Sequence, residues 1–296
     1  MSTRLPRVGL SLVPEEDFRA AAAPLFEAGV VEVLEWSLDI PWGFDPYEVP
    51  AWANAVVDLY SNAGCLYGHG MTFSALSARW EPRQDEWLER LRQELTQRHY
   101  VTISEHFGFI SAQGFLPSAP IPVPMTAGSI RTGTTALGRL ADVVGAPVGL
   151  ENLAPIFGRH DAEVQGEFLG ALLAPGDGFL LLDLHNIYCQ SQWTGIPVRT
   201  LLDQLPLHRV REMHVAGGHD WKPPLDPDVV LHLDTHDGPI PDPVFAELPY
   251  AIAACPNLEA IFLERFPYTM KSDAAQAGLR ADYERLLQTV ESCRHD

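Results

Sequence analysis

Eight short apolar segments recur along the chain, separated by stretches with helical periodicity, and no other feature narrows the possible folds as much. They are VGLSL (8–12), VEVLEW (31–36), LYGHGM (66–71), YVTISEH (100–106), VGLEN (148–152), FLLLDLH (179–185), VREMHVA (210–216) and AIFLERF (260–266). Apolar runs of this length suit parallel strands buried on both faces, and strand–helix alternation repeated eight times predicts an α/β fold, a single (β/α)8 TIM barrel. A chain of 296 residues with 46% hydrophobic content fits one such barrel over 1–296, and no linker or low-complexity tract divides it.

The intervening segments carry helix signals. The spacing predicts a helix over 14–28 with Phe18, Leu25 and Phe26 inward and Gly29 as its stop. A second, over 51–63, places Trp52, Val56, Leu59 and Tyr60 on one face and ends at Gly64. A third, over 82–98, has Pro82 in its first turn and Trp87, Leu88, Leu91 and Leu95 inward. The last, over 273–292, carries Leu279, Tyr283, Leu286, Leu287 and Val290 on one stripe. Two connections are too long for turns: 107–125, rich in Pro and Gly, and 217–242, rich in His and Asp. In a barrel, loops that follow strands rim the active-site face.

Polar residues fall at the strand ends. His69 closes the third segment, Glu105 and His106 the fourth, Glu151 and Asn152 the fifth, Asp183, His185 and Asn186 the sixth, His214 the seventh and Glu264 the eighth. A closed barrel brings them to one mouth. Any one of them alone reads as a helix cap, an ion pair or a hydrogen-bonded core residue. Recurrence at six strand ends points instead to metal, because burying such a ring costs too much without cations. The 217–242 loop adds His219, Asp220, Asp234 and His236. In extended chain, Asp234 and His236 share a side. Donors of N and O type suit iron, manganese or zinc, and there are more of them than one ion needs. His99, His160, His208, His232 and His295 lack this placement and read as ordinary residues.

Other chemistries are excluded or unsupported. The net charge of −19 argues against a nucleic-acid partner. There is no apolar run of the roughly 18 residues that a membrane span needs, and MSTRLPRVGL lacks signal-peptide features, so a cytoplasmic protein is expected. Cys65, Cys189, Cys255 and Cys293 are scattered without a CxxC pair, which fits a reducing compartment and core packing. GxSxG, GxxxxGK[ST], HExxH and GxGxxG motifs are absent. Gly217-Gly218 offers only a backbone pair to an anion.

Seven pieces in order, GHGMTFSALS (68–77), SEHFGF (104–109), ENLAPI (151–156), LLLDLHNIY (180–188), REMHVAGGH (211–219), LDTHDGPI (233–240) and FLERF (262–266), resemble the multinuclear non-heme iron-dependent oxidative enzymes, the family of MbnB and TglH. The resemblance implies a xylose-isomerase-like barrel with two or three irons in mixed Fe(II)/Fe(III) states. It also implies dioxygen as co-substrate, a ribosomally made precursor peptide as substrate, with Cys or alternatively Asp/Asn modified, and a separate peptide-recognition protein as a partner. Carried over by position, His69, His106, Glu151, Asp183, Asn186, His214, Asp234, His236 and Glu264 are its ligands. Glu151 is the bridging carboxylate, and Glu151, Asp183 and His214 stand at the reacting centre. The chain departs from the family in two places. His185 stands where a DxNN-type segment has its first Asn, and residues 190–199 contain none of the further histidine that members often carry. Either His185 replaces that ligand or a third metal is absent. Two alternatives stay open: a Zn or Mn isomerase or hydrolase acting on a small molecule, and a non-catalytic metal- or peptide-binding barrel.

Overall fold

A computed structural model describes residues 5–42, 48–110, 120–226 and 228–294. Its centre is a closed barrel of eight parallel strands: β1 (Arg7–Leu12), β2 (Val33–Ser37), β3 (Leu66–Gly70), β4 (Ile103–His106), β5 (Val148–Glu151), β6 (Phe179–Asp183), β7 (Val210–Val215) and β10 (Ala260–Leu263). They pair in chain order, and β10 closes onto β1. All eight expected segments are strands of this barrel. Helices α1 (Glu16–Glu27), α2 (Ala51–Asn62), α3 (Pro82–Gln97), α4 (Ala127–Val144), α5 (Arg159–Leu173), α6 (Leu184–Thr194), α7 (Val198–Gln204), α8 (Asp242–Ala254) and α9 (Asp273–Ser292) surround it. Among the described residues no helix is long and apolar enough to cross a membrane.

Side-chain alternation sorts the barrel residues into an outward set that packs under the helices and an inward set that fills the barrel. The outward set includes Leu10, Leu34, Leu66, Leu150, Leu182 and Met213, all fully buried. Inside lies a separate cluster of Val33, Tyr67, Ala260 and Phe262, with buried Glu212 and Thr102 at the same level. Two positions further along β3, β7 and β4, the inward residues are His69, His214 and Ser104, and this period-2 step lifts the polar set to the carboxyl-terminal mouth.

Two expectations need correction. On α2 the buried residues are Ala53, Val57 and Ser61, while Leu59 is 64% exposed. The small Ala53 and Ser61 bring the helix close to the barrel, and Trp52, Val56 and Tyr60 flank that contact. The sixth strand ends at Asp183, not at 185, because the Asp183 side chain caps α6 by accepting from Asn186 N at 2.5 Å. His185 and Asn186 therefore sit in the first helical turn. Within 217–242, β8 (His219–Trp221) and β9 (Leu231–Leu233) form an antiparallel ribbon. The Gly217-Gly218 pair serves close approach at the foot of this ribbon: a Cβ on Gly218 would lie 1.9 Å from Leu233 O, and one on Gly217 would lie 2.2 Å from Pro239 O. Residues 111–119 of the other long connection, and His295, lie outside the described residues.

Candidate metal centre at the barrel mouth

Glu151, at the end of β5, is the hub of the mouth. Its Oε2 lies 3.4 Å from His69 Nε2 and 3.3 Å from His106 Nε2, while Oε1 lies 3.5 Å from His214 Nδ1. Two donor sets result: His69, His106 and Glu151 form one, and Glu151, Asp183, His214 and Glu264 form the other, with the ligand atoms of each set within 4.8 Å of one another. Donors bound at ~2.0–2.2 Å to one ion are separated by about 3 to 3.5 Å, which is the spacing seen here.

The protein fixes which nitrogen His69 and His214 offer. Ser104 Oγ accepts from His69 Nδ1 at 2.8 Å and donates to Gly68 O at 3.3 Å, so His69 Nε2 presents a lone pair. Glu35, buried inside the barrel on β2, accepts from His214 Nε2 at 2.7 Å and so leaves Nδ1, which faces Glu151 and Glu264, as the nitrogen available to a metal once its proton is displaced. Carboxylate–imidazole pairs of this kind set tautomer and basicity in metal sites. Glu105 accepts from Phe73 N and His106 N, both at 3.0 Å, so it braces the β3 and β4 ends and does not enter the cluster as a donor. Asn152 links the β5 and β6 ends, accepting from Asp183 N at 2.9 Å and donating to Asp183 O at 3.0 Å.

Asp234 and His236 reach the rim of this cluster from the ribbon. His236 Nε2 lies 2.7 Å from Asp234 Oδ1, and His236 Nδ1 lies 3.6 Å from Glu264 Oε2. The two residues meet through a turn and not through extended chain, since His236 has φ 51°, a left-handed conformation that costs of order 1 kcal/mol outside glycine. His185 faces away from the mouth: its Nδ1 lies 2.9 Å from Asp234 Oδ1 and its Nε2 3.0 Å from His232 Nε2. Exposed His219 pairs with half-buried Asp237, and Asp220 pairs with His232, both at 2.8 Å, so neither His219 nor Asp220 belongs to the mouth.

The electrostatics fit a cation. Glu151 Oε2, Asp183 Oδ2 and Asn186 Oδ1 are buried without a hydrogen-bond partner, and native proteins seldom leave such atoms unmatched. Burial, aided by the charges of Asp234 and Glu151, pushes the Asp183 carboxyl well above its ordinary range. Burial opposes charge on His106 and His236, yet Glu151 and Glu105 carry His106 up to about 9, and Asp234 and Glu264 carry His236 up to about 10. Burial with the nearby His106 and His214 holds His69 well below its usual range. Protons on His106 and His236 thus supply positive charge beside the carboxylates of the mouth, and metal ions can displace them.

Glu35 and His232 escape the strand-end reading. Glu35 lies inside an apolar strand, where a fully buried charge is itself a signal of a partner. His232, read as ordinary, faces His185. Cys189, read as packing, is buried 3.9 Å from His185 Nε2.

The chain matches the family described as RiPP precursor modification enzyme MbnB/TglH/ChrH over residues 50–273, well over half its length. It belongs to that family. A UPF0276 protein of Acaryochloris marina is 30% identical over 173 residues, 58% of this chain and 59% of that protein. One of Acinetobacter baylyi is 29% identical over 201 residues, 68% of this chain and 66% of that protein. The chain thus spans about six tenths of the length of these curated relatives. Among solved structures, L-ribulose 3-epimerase aligns with a TM-score of 0.60 at 12% identity, covering 98% of this chain and 96% of that one. The IOLI protein with a bound zinc atom aligns at 0.61 and 12% identity, covering 97% and 98%. At such identities the likeness is one of fold, the xylose-isomerase-like barrel.

Proposed function

We propose that this chain is a multinuclear iron-dependent, dioxygen-using oxidase that modifies a residue of a ribosomally made peptide, cysteine first and Asp or Asn as the alternatives. The observation that carries the proposal is the division of Glu151's two oxygens between two imidazole–carboxylate sets. In this reading His69, His106 and Glu151 hold one iron, and Glu151, Asp183, His214 and Glu264 hold the second. Asn186, Asp234 and His236 supply further donors at the rim. When bound, the irons provide the one-electron redox chemistry and the open positions that dioxygen and substrate need.

The chain's own residues then have definite tasks. A cavity of about 370 Å³ opens onto His69, His106, His236 and Glu264, walled by Leu12, Val13, Ile40, Met71, Phe266 and Tyr268. These apolar walls exclude water and fit the aliphatic part of a peptide better than a polyol. Ser104 and Glu35 keep His69 and His214 in the metal-binding tautomers, and Glu105 keeps the His106 backbone in place. A separate protein that presents the peptide belongs to the same proposal, as does a cytoplasmic location. The N/O donor set also accommodates zinc or manganese, so the metal found in cells decides between this reading and isomerase or hydrolase chemistry.

Co-expression with a short Cys-bearing open reading frame next to this gene tests the proposal. The expected result is a peptide mass change that requires both iron and air. An unchanged peptide, with iron-loaded protein in air, contradicts it.

A further inference from the structure

Beside the mouth, α6 and the β8–β9 ribbon enclose a second trio, His185, Cys189 and His232, whose ligand atoms lie within 4.8 Å of one another. His185 and Cys189 are one helical turn apart, and both are fully buried. Trp193 Nε1 donates to His232 O at 3.1 Å and fixes the ribbon residue against the helix.

The hydrogen bonds outside the trio determine what faces inward. His185 Nδ1 lies 2.9 Å from Asp234 Oδ1, and His232 Nδ1 lies 2.8 Å from Asp220 Oδ1. A carboxylate oxygen only accepts, so each Nδ1 carries the hydrogen and, in neutral rings, each Nε2 is left with a bare lone pair. The two Nε2 atoms nevertheless stand 3.0 Å apart, with Cys189 Sγ 3.9 Å from that of His185. Two lone pairs at that distance repel unless a proton or a metal ion lies between them, and the nearby thiol adds the third donor that a metal needs and a shared proton does not. For one tetrahedral zinc-like ion, nitrogens at ~2.0 Å and a sulfur at ~2.3 Å would be separated by about 3.3 Å (N to N) and about 3.5 Å (N to S). The observed spacings straddle these values.

We infer that His185 Nε2, His232 Nε2 and Cys189 Sγ form a separate metal site for a thiophilic late first-row ion of the zinc(II) or copper(I) class. Binding deprotonates the thiol and releases one proton. None of these three residues belongs to the two donor sets around Glu151, and Cys189 and His232 are absent from the ligand set that the family resemblance carries over. The ion ties the ribbon to α6. Asp234 Oδ1 contacts both His185 Nδ1 and His236 Nε2, so the site also steadies the rim of the mouth. The trio supplies three ligands and leaves the fourth position to water or another small donor.

Cobalt(II) titration of metal-free protein tests this, because only a site containing sulfur gives a near-ultraviolet thiolate-to-cobalt charge-transfer band, and the Glu151 sets contain none. The expected result is such a band in the unaltered protein. Cys189→Ser should abolish it and lower bound cobalt by one equivalent, and His232→Ala should weaken it at least tenfold in apparent affinity. Absence of the band at saturating cobalt in the unaltered protein overturns the inference without recourse to any variant. So does a band that survives Cys189→Ser. Circular dichroism confirms that each variant is folded. Since the readout is independent of turnover, it stands or falls separately from the oxidase proposal.

Discussion

The imidazoles at the barrel mouth and those between α6 and the ribbon are made of the same parts on different foundations. His69, His106 and His214 project from β3, β4 and β7, whose backbones are locked into a closed barrel. His232 rides on a three-residue strand paired only with β8. The orienting carboxylates differ in the same way. Glu35, behind His214, has no solvent exposure, whereas the Asp220 side chain, behind His232, is 67% exposed. A buried carboxylate has no water to replace it and a solvated one does. The barrel therefore enforces its donor geometry, while the ribbon depends on whatever occupies the site.

The largest expected effect separates the mouth from the level beneath it. Burial raises the Glu212 carboxyl to about 8, against the lowering effect of the Thr102 hydroxyl that donates to it. Between about 4.5 and 8 the folded chain holds a proton that the unfolded chain has lost. Stability contributed there is full below the ordinary carboxylate range and is lost as pH rises, by up to about 1.4 kcal/mol per pH unit. In metal-free protein, the stability advantage of Glu212→Gln over the unaltered chain should grow from pH 5 to 8 in denaturant melts. Parallel curves would show that Glu212 does not titrate in this window. Next, Glu35→Ala should weaken metal binding at the mouth by roughly 10- to 100-fold, the usual cost of losing a carboxylate behind a ligating histidine. Ser104→Ala removes a neutral partner from His69 and should cost about tenfold, read by chelator competition. Asp220→Ala should weaken cobalt binding at the ribbon site by only about threefold, since water can take the place of the solvated carboxylate. If Asp220→Ala costs as much as Glu35→Ala, the distinction between the two foundations fails.

These regions also differ in how legible they are in the sequence. The barrel could be read because each strand is an apolar run, and the mouth because His69, His106, Glu151 and His214 end or nearly end such runs. Glu35 was hidden by lying inside its run, two residues before the strand's end. The ribbon site was hidden twice over. Extending the sixth strand to 185 concealed that His185 and Cys189 are an i, i+4 pair on a helix, a relation that reading Asp183 as a cap would have exposed. His232 sits in a strand of three residues, too short for alternation to register. On α2 the apolar stripe pointed at Leu59, but small residues decided the contact face, and volume at a helix–barrel contact is not visible in periodicity.

The central claim is that Glu151 joins two metal ions at the barrel mouth. Iron content of protein purified without oxygen, compared with that of folded Glu151→Ala, tests it most directly. The account predicts at least two irons per chain in the unaltered protein and loss of both from the mouth in the variant. Full retention of iron in Glu151→Ala, or a folded protein that takes up no metal at all, would contradict it.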